Sequence, residues 1–293
     1  MTFKILVPIG CRSDEGLSAP VIQRLEKYFD VTTIRLTPQD FRLSYNIIEG
    51  EIRWASTPYD LIFITGDRVE MCSAACAAFH NNVKIAHLYA GVVNDPITTY
   101  DDVDRHCITL WSDIQFCENE EAAHQVVNFL RGIKAAFPDV VGITHLDDMD
   151  IDESKVPPGD YDLILYNTPT KTNKDIEDEL LECLLERREE YCILVSGNPD
   201  GDKEIGICQD VNEFHIDLPR PQFLGLLKNC RRFITNSSSA IYEAPYFLKP
   251  DQIVMIGDRN RNRPAVDCKP GGSDKIVDAV RCYFGVEKTC DKT

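Results

Sequence analysis

The chain has 293 residues, 43% of them hydrophobic, with 12 cysteines and a formal net charge of −17 at pH 7. So acidic a balance excludes a general nucleic-acid or anionic-membrane binder, both of which need a basic surface, although a few clustered arginines can still define a pocket for a small anion. No apolar run is long enough to span a membrane or to form a signal-peptide core, so a soluble, cytoplasmic protein is expected, with its cysteines as buried free thiols.

In chain order, KILVPIG (4–10) is a short continuous apolar run closed by glycine, the pattern of a strand buried on both faces. Gly10 and Gly16 in GCRSDEG permit a tight turn that places Arg12 at the strand end, and a helix follows through SAPVIQRLEKYF. DVTTIRL reads as a second strand, because Val, Thr and Ile favour extended backbone. DLIFITG is a third strand, and RVEMCSAACAAFHN a helix with a face of small residues for close packing. VKIAHLYAG is a fourth strand, DDVDRHCITLWS a helix, DIQFC a strand, and ENEEAAHQVVNFLRGI a helix whose acidic start suits the macrodipole.

The acidic stretch HLDDMDIDESKVPPGDYD (145–162), with its Pro-Pro-Gly, is the candidate linker. Beyond it the alternation restarts: strand YDLILYN, helix NKDIEDELLECLLERREE, strands YCILVSG and EFHIDLP, helix PQFLGLLKNC, strand RRFITNS, helix SSAIYEAPYFL, strand QIVMIGD and a last helix in DKIVDAVRCYFG. Strands alternating with helices predict an α/β protein of two Rossmann-like βα domains, 1–150 and 151–293, facing a cleft, with the last helix a candidate to cross back to the first. Open parallel sheets bind ligands beyond the carboxyl ends of their strands. Gly-Asp-Arg stands at such an end twice, in LIFITGDRVE (61–70) and IVMIGDRNR (253–261). The flanks otherwise differ, so two strand ends facing one ligand is a better reading than duplication.

FITNSSSAIYEAP (233–245) is the richest segment. Asn236, Ser237, Ser238 and Ser239 follow a strand and open a helix, and free amides and hydroxyls there suit an anion. Glu243, one turn on, could accept from sugar hydroxyls; the alternative is a multi-serine N-cap with Glu243 as its partner, and both readings stand open. GDRNRNR (257–263) brings Arg259, Arg261 and Arg263, either a solvated charge run or partners for a diphosphate. Asn198, just past YCILVSG, joins the substrate-binding candidates. GDRVE offers Asp67, Arg68 and Glu70, and YDDVDRH offers Asp101, Asp102, Asp104, Arg105 and His106. Carboxylates and a histidine in one cleft are general acid–base candidates; the alternative, preferred for Asp104, is a capped helix start with surface acids. His106 and His124 lack a cysteine or carboxylate set at ligand spacing, so no metal is assigned.

GDRVEMCSAACAAFHNNVKIAHLYAG, DDVDRHCIT and ITNSSSAIYEAP…IVMIGDRNRNR together resemble the hydrolysing UDP-N-acetylglucosamine 2-epimerases of sialic-acid and related amino-sugar synthesis. The resemblance implies a glycosyltransferase-B fold, UDP held by the C-terminal domain with the diphosphate at Ser237 to Ser239 and the ribose at Glu243, and Arg12, Asp67 and Asp101 around the reacting end. It implies no cofactor, a UDP-sugar as the bound partner, and a homodimer as a candidate assembly. It implies a reaction in which the C2 proton is removed, UDP is expelled and the glycal is hydrated. A UDP-sugar glycosyltransferase and a non-catalytic nucleotide-sugar binder are the alternatives. Two segments depart from the family: HLYAGVV has Tyr89 and Val92 and no carboxylate where relatives carry a glutamate, and LILYNTPT places Asn167 where they carry a histidine.

Overall fold

Every strand in the computed structural model runs parallel to its neighbours, in two sheets. The structure describes residues 2–92, 100–167, 190–196, 211–216, 218–257, 260, 263 and 266–286, leaving aside the side chains of residues 12, 13 and 196. The chain divides into two compact units: Met1–Val93, Asp101–Asp147 and Lys269–Thr293 form one, and Asn94–Tyr100 with Asp148–Cys268 the other.

Unit 1 holds a six-stranded sheet ordered β2-β1-β3-β4-β5-β6. Its strands are β1 (Lys4–Ile9), β2 (Asp30–Arg35), β3 (Leu61–Thr65), β4 (Lys84–Leu88), β5 (Ile114–Cys117) and the two-residue β6 (Asp139–Val140). β3 is buried along its whole length, as its Leu-Ile-Phe-Ile-Thr run predicts. Its helices are α1 (Arg12–Leu25), α2 (Phe41–Trp54), α3 (Val69–His80), α4 (Tyr100–Trp111) and α5 (Glu120–Leu130). Ala74, Ala75, Ala77 and Ala78 of α3 bring its backbone close to the sheet, in one core with Leu6, Ile62, Ile64 and Ile85. Helix α2 was not expected from the sequence; Asp40 caps it, accepting from the Leu43 amide at 2.8 Å.

α1 starts earlier than expected, at Arg12, so Gly16 lies inside a helix and not in a tight turn. The last helix, α9 (Gly272–Phe284), belongs to unit 1. Asp147 accepts from the Gly271 amide and, at 2.7 Å, from the Ser273 amide, satisfying donors at the helix start. A Cβ on Gly272 would come within 2.2 Å of the Ile143 carbonyl oxygen, so only glycine allows this approach. At the far end Phe284 packs on Phe3 and Phe29.

Unit 2 holds a five-stranded sheet ordered β11-β10-β7-β8-β9. The strands are β7 (Asp162–Tyr166), β8 (Cys192–Ser196), β9 (Glu213–Ile216), β10 (Arg232–Thr235) and β11 (Ile253–Met255). Its described helices are α6 (Arg220–Asn229), α7 (Ser239–Tyr242) and α8 (Ala244–Phe247). The helix expected through NKDIEDELLECLLERREE lies almost wholly outside the described residues. The single helix expected through SSAIYEAPYFL is two one-turn helices: the chain breaks at Glu243 (φ −118°, ψ −47°), and Pro245 has no N–H to continue the ladder. Leu163, Leu165, Ile193, Leu227 and Phe233 are among the side chains at the centre of its core. No helix among the described residues is long and apolar enough to cross a membrane.

Candidate active site

In unit 1, buried polar side chains collect at the carboxyl ends of the strands. Beyond β1, Cys11 caps α1 and Asp14 reaches back to accept from the Gly10 and Cys11 amides, at 3.2 and 2.9 Å. Burial pushes the Asp14 carboxyl up to about 6, against the pull of the Cys11 hydrogen bonds. Glu70, on the first turn of α3, is wholly buried against this turn, where a Cβ on Gly10 would stand 2.6 Å from its Cγ. Glu70 accepts from Arg68 Nε at 2.8 Å and from the Gln39 amide at 3.2 Å. Burial alone would lower the Arg68 pKa, but the Glu70 charge outweighs it and the guanidinium is held firmly protonated.

Arg68 and Glu70 pair with each other, and Asp67 pairs with Arg105 from α4. Asp102, Arg105, Ile108 and Thr109 share the buried face of α4, as their helical spacing requires. Arg105 also donates to the Val92 carbonyl at 2.9 Å and lies 3.8 Å from Asp102. Asp101 is half-buried and its charge acts on Arg68. Asp67, Asp102 and Arg105 thus form one charged group, and Arg68, Glu70 and Asp101 interact in another. His106 stacks its ring on Phe129 of α5, centroids 5.0 Å apart, and burial with the Arg105 charge lowers its pKa against the pull of the Asp102 charge. Asp104, expected as a surface acid, is half-buried, and burial raises its pKa to about 6. The side chain of Arg12 lies outside the described residues.

His87, on β4, holds the first Gly-Asp-Arg turn. Its Nε2 lies 2.9 Å from the Gly66 carbonyl and its Nδ1 3.1 Å from the Thr109 hydroxyl. Full burial lowers its pKa to about 4, so the ring is neutral and donates from Nε2 to the carbonyl. Gly66 itself has φ +81°, a conformation that excludes a side chain without strain. Two further buried residues were not singled out as candidates: Tyr89, beyond β4, and Glu118, beyond β5. The strand-end rule points to both, since each follows a buried strand.

In unit 2, the serine turn follows β10. Asn236 is buried, and its side chain accepts from the Asn167 amide at 2.8 Å and donates to the Asn167 carbonyl at 2.7 Å. It stitches the ends of β10 and β7 together, a supporting role where a ligand contact was expected. The Ser237 amide donates to Thr235 Oγ1 at 2.9 Å, and the Ser237 and Ser239 hydroxyls lie 3.3 Å apart. Ser238 stands at the cap of α7 without a capping hydrogen bond from its own side chain, while Ser237 Oγ accepts from the Ser239 amide at 3.3 Å. Glu243 is buried and paired with Arg220. Asn260, in the second Gly-Asp-Arg loop, donates to the Asn236 carbonyl at 2.6 Å, and its carbonyl accepts from the Arg263 amide at 3.2 Å. Asn260 is thereby hydrogen-bonded to the serine turn. Asn198, Arg259 and Arg261 lie outside the described residues. Among the described residues no cluster of histidines, cysteines and carboxylates is arranged to hold a metal ion, and each cysteine reported is a free thiol.

A sequence model of the UDP-N-acetylglucosamine 2-epimerase family matches residues 42–282. The chain belongs to this family. It is similar to the UDP-N,N'-diacetylbacillosamine 2-epimerase (hydrolyzing) of Legionella pneumophila, at 25% identity over 98% of this chain and 87% of that one. It is similar to the UDP-N-acetylglucosamine 2-epimerase of Neisseria meningitidis at 24% identity, over 89% and 81% of the two chains. The fold matches S. aureus MnaA, solved with UDP, at a TM-score of 0.77 and 17% identity, covering 98% of both chains. It also matches the N. meningitidis UDP-GlcNAc 2-epimerase bound to UDP-GlcNAc, at a TM-score of 0.73 and 15% identity over 97% and 100%. The architecture is therefore the two-unit, glycosyltransferase-B-like α/β fold that the sequence predicted.

Against the epimerase pattern, the two departures have definite environments. Asn167 is half-buried, its backbone held at both polar groups by Asn236. Tyr89 is buried at 6% exposure with φ +69°, and its hydroxyl bonds to Thr144 and His145.

Proposed function

We propose that the protein is a hydrolysing UDP-sugar 2-epimerase acting on a UDP-2-acetamido sugar. The observation that carries this reading, within the family, is the ion pair between Asp67, beyond the fully buried β3, and the buried Arg105. Such a pair fixes the direction of the carboxylate and keeps it ready to take a proton, while Arg68 and Arg105 supply positive charge where negative charge develops. In the reaction a base removes the sugar C2 proton, the C1–O bond breaks, UDP leaves with the bonding pair and water then adds across the glycal.

The diphosphate is proposed to lie at Ser237, Ser238 and Ser239, where amides and hydroxyls gather beyond β10 and Asn260 bonds to the Asn236 carbonyl. α7 has only one turn, so its dipole adds little and the amides themselves must carry the binding. The Glu243–Arg220 pair is the candidate for the ribose hydroxyls. The free thiols support a cytoplasmic setting. Exposed apolar side chains on unit 1, such as Trp54 and Phe137, both 87% exposed, support a homodimer.

The test is incubation with UDP-N-acetylglucosamine in the absence of any acceptor. UDP release with a free sugar inverted at C2 is expected. The departures at Tyr89 and Val92, with no carboxylate where the family has a glutamate, and at Asn167 in place of its histidine favour one second reading, a nucleotide-sugar binder. Stabilisation by UDP with no turnover would replace the first reading with the second.

A further inference from the structure

We infer that Asn236, together with Asn260, is a positioning residue of the nucleotide site. Its side chain takes over from the backbone where the sheet ladder ends, so that the three serines after it can leave the sheet and meet the diphosphate. The inference rests on the reading of the serine turn as the diphosphate site and assigns the geometry of that turn to named side chains.

The ladder between β10 and β7 runs from Arg232 opposite Asp162 to Thr235 opposite Leu165. Two side chains continue it. The Thr235 hydroxyl donates to the Leu165 carbonyl, and the Asn236 carboxamide reaches Asn167, two residues beyond Leu165. Asn236 Oδ1 accepts from the Asn167 amide at 2.8 Å, and Nδ2 donates to the Asn167 carbonyl at 2.7 Å. A carboxamide that bonds both polar groups of one residue does what a neighbouring peptide group does in a sheet. It has one permitted orientation, because turning it over would set donor against donor and acceptor against acceptor. At 1% exposure the side chain has no water to replace these partners, so the position of residue 236 is fixed.

The backbone of Asn236 is held as well. Its carbonyl accepts from the Asn260 side chain at 2.6 Å, and Asn260 is itself 3% exposed. The Ser237 amide then donates to Thr235 Oγ1 at 2.9 Å, which turns the chain at the first serine. Extending β10 by one ordinary residue would satisfy the same Asn167 groups without burying a polar side chain, but it would carry Ser237 along the sheet and not into the turn. The arrangement therefore serves the turn. Asn167, Asn236 and Asn260 join the ends of β7 and β10 to the segment after β11 through neutral groups alone. An aspartate at 236 would have nearly the same shape but would set a negative charge beside the diphosphate, and its oxygen could not donate to the Asn167 carbonyl.

The experiment measures UDP affinity by calorimetry and uridine affinity by displacement on the full chain, with thermal melts to check that each variant folds. Asn236→Ala removes both bonds to Asn167 and should weaken UDP by about tenfold or more, with uridine changed by less than about twofold, because uridine lacks the diphosphate. Asn236→Asp should weaken UDP at least as much. Asn260→Ala removes a single bond to the turn and should weaken UDP by about threefold or more, again sparing uridine. Where the variants at 236 do not fold, Asn260→Ala decides alone. UDP affinity equal to wild type in a folded Asn236→Ala or Asn260→Ala protein overturns the proposal. Equal losses for UDP and uridine overturn it too, since they would leave these residues a structural role only. If the wild type binds no UDP, the diphosphate reading itself fails, an outcome distinct from a binding wild type with unaffected variants.

Discussion

Replacing Asp67 by asparagine separates the two jobs proposed for its carboxylate. Removing one member of a fully buried ion pair costs roughly 3–5 kcal/mol, because the other charge is stranded. Here the side chains are 22% and 5% exposed for Asp67 and Arg105, so water reaches one partner. Asparagine also keeps an acceptor oxygen, and Arg105 retains the Val92 carbonyl at 2.9 Å and Asp102 at 3.8 Å. The structural loss should therefore be smaller, about 1–2 kcal/mol, or a fall in Tm of about 3–6 °C for a chain of this size. The chemical loss should be larger: removing a general base lowers turnover by about a hundredfold or more, ~2.7 kcal/mol on the barrier. Release of UDP from UDP-N-acetylglucosamine measures the second, and thermal melts with and without UDP measure the first. Stabilisation by UDP should survive, since the nucleotide is assigned to unit 2. Wild-type kcat in a folded Asp67→Asn protein would reduce Asp67 to a structural partner of Arg105. Loss of UDP binding would place the first Gly-Asp-Arg at the nucleotide.

Ser238→Asp should abolish stabilisation by UDP, because it sets a negative charge at the uncapped serine where the diphosphate is proposed; the wild type should gain about 2.7 kcal/mol at a hundredfold excess of ligand over Kd, read as a shift in melting temperature. Gly91→Ala should destabilise by about 3 kcal/mol or more in urea unfolding, since it combines φ +78° with a Cβ placed 2.1 Å from the Ala122 carbonyl oxygen. Asp14, raised by burial from 3.8 to about 6, is neutral in the folded protein at a pH where the unfolded chain ionises it, so its penalty on folding is absent below about pH 4 and grows to ~3 kcal/mol above about pH 6. Urea midpoints for Asp14→Asn, which cannot ionise, should accordingly improve relative to wild type between about pH 4 and pH 7, and a constant difference would mean that the native Asp14 titrates normally.

The two Gly-Asp-Arg tripeptides show how far strand-end reasoning carries. The first was legible because a continuous apolar run followed by glycine can only be a buried strand leaving its sheet, and Asp67 lies where such a strand ends. Its partner was not, because Arg105 meets Asp67 only once α4 turns its Asp102–Arg105–Thr109 face inward. Asp14 was missed for a related reason: its burial follows from α1 starting at Arg12, set by a local capping arrangement around Cys11 that residue types alone do not announce. Glu243 was correctly placed near the serine turn, but its charge is taken by Arg220, about twenty residues away in sequence. Helix α2 was overlooked, although Asp40 and the apolar spacing after it carry the signal of a capped helix.

Asp14, Glu70, Asp102 and Glu118 are all at most 5% exposed and all stand at or beyond the carboxyl ends of the unit 1 sheet. Burying several carboxylates together is unfavourable unless each is paired or protonated, and apolar residues of similar volume would usually serve stability as well or better. The molecule offsets the cost in separate ways: backbone amides for Asp14, Arg68 and a loop amide for Glu70, Arg105 for the Asp67 and Asp102 pair. Asp14 remains incompletely compensated, which is why its pKa rises. A fold that keeps charge on one sheet edge against its own stability is spending that energy on chemistry there, and the neutral His87 clamps the Gly66 turn that aims Asp67 without adding a further charge to that edge. All four carboxylates stand at the strand ends where open parallel sheets bind ligands, and that is the face on which the reaction is proposed.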